Sequence, residues 1–477
     1  MGSIKGLMSD QRVGGTFTLT APGSKKDRLY WVSNEFKQLN KQTPLERCNN
    51  KAACCFKMVF SLAEIKDELE KREEEAFAVC KSGQGRNING VLKKTHAGFE
   101  LFILGVLEQQ PELFGKDGEF IDEGLKEHVN SLREITNLKP VIRPFRWWYW
   151  FDKAFRFIGV CLGFFTLSMV SILVIVLQIV DTALNSDPFD AMSTRLRKQL
   201  VQFLCLVSGV FYDVVGEEKE KFEAPCTILA FTHASNLDGI LVSSVCPIRH
   251  YALAKKELFF VPIFSWISFA IGGVPVDREN KSRAIGALKR TAEAASTSRS
   301  CIAIAPEGTR SKSGNILPYK KGLFHMQAQL DAPIVPFIIL GAFDLYPVGS
   351  WSNICGRVEV KYLDPILNPG KKFTPDEMNN KCRRATLEAI LECPDEPYSD
   401  VTNTEFFMCY LANIANMYFV ASLVKYYSSY CSNYLLLTTG EAIGYTIAGA
   451  IALTVILYVY FVYIVDMLNP KSMQKID

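Results

Sequence analysis

The chain lacks several features that would assign its class quickly. It has no charge excess: 53 Lys and Arg against 50 Asp and Glu leave +3, too little for the basic footprint of a nucleic-acid binder. Its fourteen cysteines include no pair at the two-residue gap of zinc or redox motifs. Apart from Cys54-Cys55 they are scattered, and in a chain of this length they read as mostly reduced and buried rather than as a disulfide framework. There is no Gly-x-Ser-x-Gly elbow, which argues against a hydrolase built on a serine nucleophile. No apolar stretch follows the first basic residues, so no cleavable signal peptide is expected. Met1-Gly2 is followed by Gly6 rather than Ser or Thr, which leaves the myristoylation pattern incomplete.

What is there begins with three uncharged apolar runs. Phe157–Val180 and Ala442–Val465 would each exceed, as helices at about 1.5 Å per residue, the roughly 30 Å hydrocarbon core. Phe406–Val424 is shorter and carries Asn413 and Asn416. These runs make the expectation a multi-pass membrane protein. Residues 1–30, rich in Gly, Ser, Thr and Lys, are expected to be disordered. Residues 31–140 read as a helical N-terminal region (Leu62–Val79, Phe99–Glu108, Phe120–Leu138) with no recognisable chemistry, its Lys71–Glu75 charges being a solvated face. Residues 141–181 hold an aromatic belt, Arg143 to Phe151, with three of the six tryptophans, and then the first membrane segment; indole rings and basic side chains favour the headgroup zone. Gly159 and Gly163 form one GxxxG, a weak helix-pairing signal. Residues 405–466 read as two further membrane helices.

Between these, residues 182–395 alternate short apolar strands with helices, the pattern of an α/β domain with a mixed sheet flanked by helices. A polar connection with a helix at Met192–Gly209 leads in. Strands are expected at Thr227–Phe231, Tyr251–Ala254, Gly273–Val276, Cys301–Ala305, Ile334–Leu340 and Val358–Tyr362. Helices are expected at Lys281–Ala295, Lys320–Leu330 and Pro375–Leu391. Leu258–Ile271, apolar and interrupted by Pro262, has two open readings, core or a dip into the bilayer.

The chain is organised around Cys226 to Asp238, an apolar strand ending in Thr232-His233-Ala234-Ser235-Asn236-Leu237-Asp238. A buried strand that stops at such a turn holds an imidazole rigidly, with a carboxylate able to accept from one ring nitrogen while the other faces a substrate. Three more clusters are placed at turns after expected strands: Gly272-Gly273-Val274-Pro275-Val276-Asp277-Arg278, then Pro306-Glu307-Gly308-Thr309-Arg310-Ser311 running on to Leu317-Pro318-Tyr319-Lys320-Lys321-Gly322, then Ala332-Pro333-Ile334-Val335-Pro336. Loops at one end of an open α/β sheet gather into a site. None of His96, His128, His250 and His325 has an Asp five residues on, and these read as structural or surface residues. Plainer readings stand beside the chemical one. His233 can be a surface residue beside a capping Asp; Arg278 can pair with Asp277 or Glu279, Glu307 with Arg310, and Lys320 can begin a solvated helix.

In this order the four segments closely resemble the glycerolipid acyltransferase family, and within it the 1-acylglycerol-3-phosphate (lysophosphatidic acid) acyltransferases. The resemblance covers residues 220–365. Thr232 departs from it, standing where many members carry Asn. It implies His233 as general base toward a glycerol hydroxyl attacking an acyl-CoA thioester, with Asp238 fixing the imidazole tautomer. It implies Arg278, Arg310, Lys320 and Lys321 around the acceptor's phosphate, and Glu307, Gly308 and Thr309 in the acceptor-binding turn. Acyl-CoA is then a co-substrate, with no cofactor, metal or nucleic acid, and the other partners are a lysophospholipid acceptor and the bilayer. Lysophosphatidic acid is the expected acceptor. Alternatives are another lysophospholipid, glycerol-3-phosphate, or, in a different class, a catalytically silent membrane scaffold. The resemblance also implies a cytosolic catalytic domain at the endoplasmic reticulum. Positive charges before the first apolar run, among them Lys153 and Arg156, point instead to a cytosolic N-terminus, and one full span at 157–180 cannot satisfy both.

Overall fold

A computed structural model describes residues 60–82, 88–115, 117–138, 147–216, 219–260, 267–277, 281–394 and 398–435. The aromatic belt before Trp147, Pro262, Arg278 and the Ala442–Val465 run lie outside the described residues, as does everything before Phe60. The chain divides into two compact units, Met1–Lys71 with Ile103–Val129, and Arg72–Phe102 with Asn130–Asp477. Three helices are shared between them in sequence: α1 (Leu62–Ser82), α2 (Ile88–Gln109) and α3 (Glu123–Ile135).

In the first unit Ser61 and Glu64 cap α1 reciprocally, Ser61 N–H donating to the carboxylate and Glu64 N–H to the hydroxyl. Gln110 both donates to and accepts from the backbone of Phe60. Asp122 accepts from Leu125 N–H at the start of α3, satisfying one of the free donors of that helix end.

The second unit is built on a sheet of eight strands among the described residues. They are β1 (Val210–Val215), β2 (Thr227–Phe231), β3 (His250–Lys255), β4 (Gly273–Val276), β5 (Cys301–Ile304), β6 (Ile334–Leu340), β7 (Gly356–Tyr362) and β8 (Tyr398–Ser399). Their order is β1-β7-β6-β2-β5-β3-β4, with β8 on β7. From β6 to β4 neighbours run parallel, while β7 is antiparallel to β6. Six strands thus lie within one or two residues of their expected positions. β1 was not anticipated. It begins directly after α5 (Met192–Ser208), where Gly209 turns the chain at φ +70, and its partner β7 comes from far along the sequence.

Every residue of β2 and of β6 is buried, which is why these segments read as unbroken apolar runs rather than alternating ones. Alternate side chains serve two cores. Ile228, Ala230, Ile302, Ile334 and Ile338 pack with α7 (Lys281–Thr297), α8 (Gly322–Leu330) and α10 (Pro375–Leu391). Leu229, Phe231, Ala303, Val335 and Phe337 pack with α6 (Asp238–Val245) and with Leu345 of the short α9 (Ala342–Leu345). The result is a mixed sheet between two helical layers.

Among the described residues two helices are long and apolar enough to cross a membrane: Trp150–Ala183 within α4 (Trp147–Ala183) and Asn403–Tyr426 within α11 (Asn403–Leu435). Their meeting point uses the polar residues of the shorter run. Asn413 donates to Val207 O at 2.8 Å, Thr166 bonds Asn416 at 2.8 Å, and a Cβ on Gly159 would collide with Asn413. Gly163 instead faces Val207 and Leu204 of α5. The two glycines therefore admit two different neighbours. Arg156 is buried, paired with Asp152 and donating to Ser208 O and Asn353 O, while Lys153 lies over the Trp351 ring. Neither is a solvated loop charge, so neither belongs in a topology count. Of the 258–271 segment, Ile267 is buried against Leu167, Leu204 and Val207 of α4 and α5.

Candidate active site

The site lies where β2 and β5 end. Thr232 leaves β2 with its N–H on Phe337 O and its hydroxyl accepting from Ile339 N–H, so this departure from the expected Asn locks the strand's end to β6. His233 follows. Its Nδ1 lies 2.9 Å from Asp238 Oδ2, and the same oxygen accepts from Ser235 N–H at 2.7 Å. Asp238 is the first residue of α6 and 1% exposed, placed where a helix start favours an anion. The His233 side chain is 21% exposed. Ser235 and Asn236 are more than turn formers. Ser235 Oγ donates to Tyr346 O and Asn236 to Pro347 O, so the turn is pinned to the segment after α9.

Glu307, in the turn after β5, is 2% exposed. Its two oxygens accept from His233 N–H at 2.9 Å and Leu317 N–H at 3.0 Å. Burial pushes its carboxyl up to about 8, nearby Asp238 adding to the rise, while the two backbone donors and Lys93 oppose it. The plainer reading of an ion pair with Arg310 does not hold: both Glu307 oxygens are taken by backbone donors, so the buried carboxyl braces the His turn. Gly308 turns at φ +70, and a Cβ there would meet the Lys320 side chain, so Lys320 lies over that turn. Thr309, Arg310 and Lys320 are exposed. Arg310 donates to Asn236 Oδ1, which brings its guanidinium to the same loop as the imidazole. Lys321 is directed elsewhere, paired with Asp376 of α10 at 2.8 Å; it does not join the others.

The remaining clusters behave differently. Gly272, at φ +83, has no room for a Cβ against His250 O, which explains the glycine by packing. Asp277 pairs with Lys256 and Arg283. Ala332 to Pro336 does not follow a strand; it leads into β6, with Pro333 O accepting from Ile228 N–H. It therefore lies at the far end of the sheet from His233 and supplies no site side chain. A shallow depression lined by Arg197, Arg249 and His250 is also at that far end; the site itself is a shelf of exposed Thr309, Arg310 and Lys320 on the His233 side of the sheet.

The comparisons with known proteins fall on the same part of the chain. A family profile described as Acyltransferase matches residues 213–340, which contain His233, Asp238, Glu307 and Arg310. A Caenorhabditis elegans relative, assigned by name to the 1-acyl-sn-glycerol-3-phosphate acyltransferases, is 30% identical over 194 residues, 40% of this chain and 68% of its own. The chain belongs to the glycerolipid acyltransferase family. A Cocos nucifera 1-acyl-sn-glycerol-3-phosphate acyltransferase is 34% identical over 31% of this chain and 48% of its own. The human enzyme named alpha is 30% identical over 36% and 59%. Over these two members the chain spans only about half of the relative's length. The crystal structure of the Thermotoga maritima 1-acyl-sn-glycerophosphate acyltransferase aligns at TM-score 0.39 and 24% identity over 49% of this chain and 94% of its own. The acyltransferase profile leaves out α2, from which Lys93 acts on Glu307. Sequence reading passed over this lysine because it sits among exposed-looking charges with no motif around it.

Proposed function

We propose that this chain is a membrane-bound O-acyltransferase that moves a fatty acyl group from acyl-CoA to the free hydroxyl of lysophosphatidic acid, giving phosphatidic acid. His233 Nε2 takes the hydroxyl proton as the oxygen attacks the thioester carbonyl. The C–S bond breaks, and the CoA sulfur leaves with the proton returned by the imidazolium. Asp238 keeps Nδ1 protonated and offsets the transient positive charge, work worth roughly 10²–10⁴-fold in rate for a positioned base. No protein nucleophile is needed, because the thioester is already activated. Arg310 and Lys320, exposed on the same shelf, are suited to the acceptor's phosphate; Arg278 is assigned there by the resemblance alone. The α4 and α11 helices hold the shelf at the lipid surface, and we place the protein in the endoplasmic reticulum membrane with the site on the cytosolic side.

The observation that carries this reading is the 2.9 Å His233–Asp238 contact at the end of a fully buried strand. The test is purified protein with labelled oleoyl-CoA and a panel of acceptors. Product from lysophosphatidic acid above all others is expected. Preference for lysophosphatidylcholine or glycerol-3-phosphate would reassign the acceptor, and no transfer to any acceptor would leave a membrane scaffold.

A further inference from the structure

Helix α2 lies outside the segment matched by the family profile, yet its Ile88–Phe102 part turns a polar row inward. Asn89, Lys93, His96 and Glu100 follow at spacings of four, three and four, so they share one face, and all four are buried, Lys93 at 9% exposure. Three of them have structural partners. Asn89 donates to Asp344, His96 Nδ1 lies 3.1 Å from Thr136 Oγ1, and Glu100 is held by Arg133 at 2.9 Å and Arg383 at 2.6 Å.

Lys93 is different. The charges that act on it come from four separate elements: Asp344 of α9, the Cys393 thiol after α10, Asp238 at the start of α6 and Glu307 after β5. Packing puts it there. Its neighbour Leu92 is buried with Leu138 and Phe343, and Ala234, the residue next to His233, packs against that group. One turn on, Ala97 is buried among Ile228 and Ala230 of β2. Three carboxyl groups, Asp238, Glu307 and Asp344, are 1%, 2% and 4% exposed in this region. Carboxylates taken out of water without a counter-ion tend to take up protons instead, and a protonated Asp238 can no longer support an imidazolium.

We propose that Lys93 is a positioning residue of the acyl-transfer site, its ammonium supplying the countercharge for the buried carboxylate Asp238 behind His233. The Ile88–Phe102 part of α2 then completes the active site rather than merely preceding it. Burial lowers the ammonium's own proton affinity, opposed in part by Asp344, then Cys393, Asp238 and Glu307. This inference rests on His233 being the base.

The test is the pH dependence of kcat for the purified full chain in lipid vesicles. Asp344→Asn serves as the background, because its lost negative charge offsets the lost ammonium and protects folding. Lys93→Met in that background is expected to move the acidic limb about one pH unit higher, an approximately tenfold loss on that limb. Lys93→Arg in the otherwise unchanged chain keeps the charge and is expected to leave the limb in place, while Lys93→Gln moves it. Superimposable profiles differing only in amplitude or melting temperature would overturn the assignment. A fully active His233→Ala would instead sink the reading of the site; an inactive one with superimposable Lys93 profiles sinks Lys93 alone.

Discussion

Two histidines in the α/β unit show how opposite the surroundings of an imidazole can be, and why His233 is the one proposed as a base. His233 ends β2, faces a carboxylate and is partly exposed. His250 begins β3, is fully buried, accepts at Nδ1 from Arg197 and has Ser243 Oγ 3.1 Å from Nε2. Burial and then Arg197 push its proton affinity down. An anionic partner makes the charged imidazole affordable during a reaction, whereas a cationic partner forbids it and leaves a neutral hydrogen-bonding strut. Their positions follow the sheet. The carboxyl ends of the parallel strands open onto loops, and the amino end near β3 is closed by α4 and α5.

The comparison can be broken most directly at His233. His233→Ala is expected to lower kcat about 10²–10⁴-fold with membrane association and melting temperature retained; turnover at the wild-type level would show that the dyad is not catalytic. Asp238→Asn is expected to cost on the order of 10²-fold in kcat, since an amide leaves the imidazolium unsupported while Ser235 N–H keeps an acceptor. An equal effect of Asp238→Asn on KM alone would assign it to binding instead. His250→Phe should do the opposite, leaving kcat per folded molecule unchanged while costing about 1–3 kcal/mol of stability, because the Arg197 donor is left buried without its acceptor; calorimetry beside activity reads both. The last comparison reads pH against stability. Glu307 has a folded pKa of about 8 against an ordinary 4.5, so the folded state holds a proton that the unfolded state has released. Wild-type stability should therefore fall relative to Glu307→Gln as pH rises from 4.5 to about 8, and the difference should level off above that. Parallel melting curves across that window would show that Glu307 is not a buried brace.

Much of this was legible in residue order. β2, β6 and α10 announce themselves through unbroken apolar runs or a Thr-Pro-Asp-Glu start, and Thr374 and Glu377 do form a reciprocal cap. His233 and Asp238 are close in sequence, so a single turn suffices to bring them together. β1 escaped because a six-residue strand with a central Asp213 is defined by its distant partner β7. Glu307 reads as an acceptor-turn residue, or more plainly as a partner of Arg310, because the backbone amides that it does bond carry no residue signature. Lys321 read as a phosphate ligand because the run Lys320-Lys321 does not say which side chain turns toward Gly308 and which toward Asp376.

Residue order by itself settled the local chemistry: apolar strands, membrane-length helices, and a His with its Asp one turn away, all governed by short-range sterics and hydropathy. Only the tertiary structure decided which charges are buried together. That Glu307, Arg156 and Lys93 are buried depends on packing between elements far apart in the chain, where exclusion of water sets the worth of every charge.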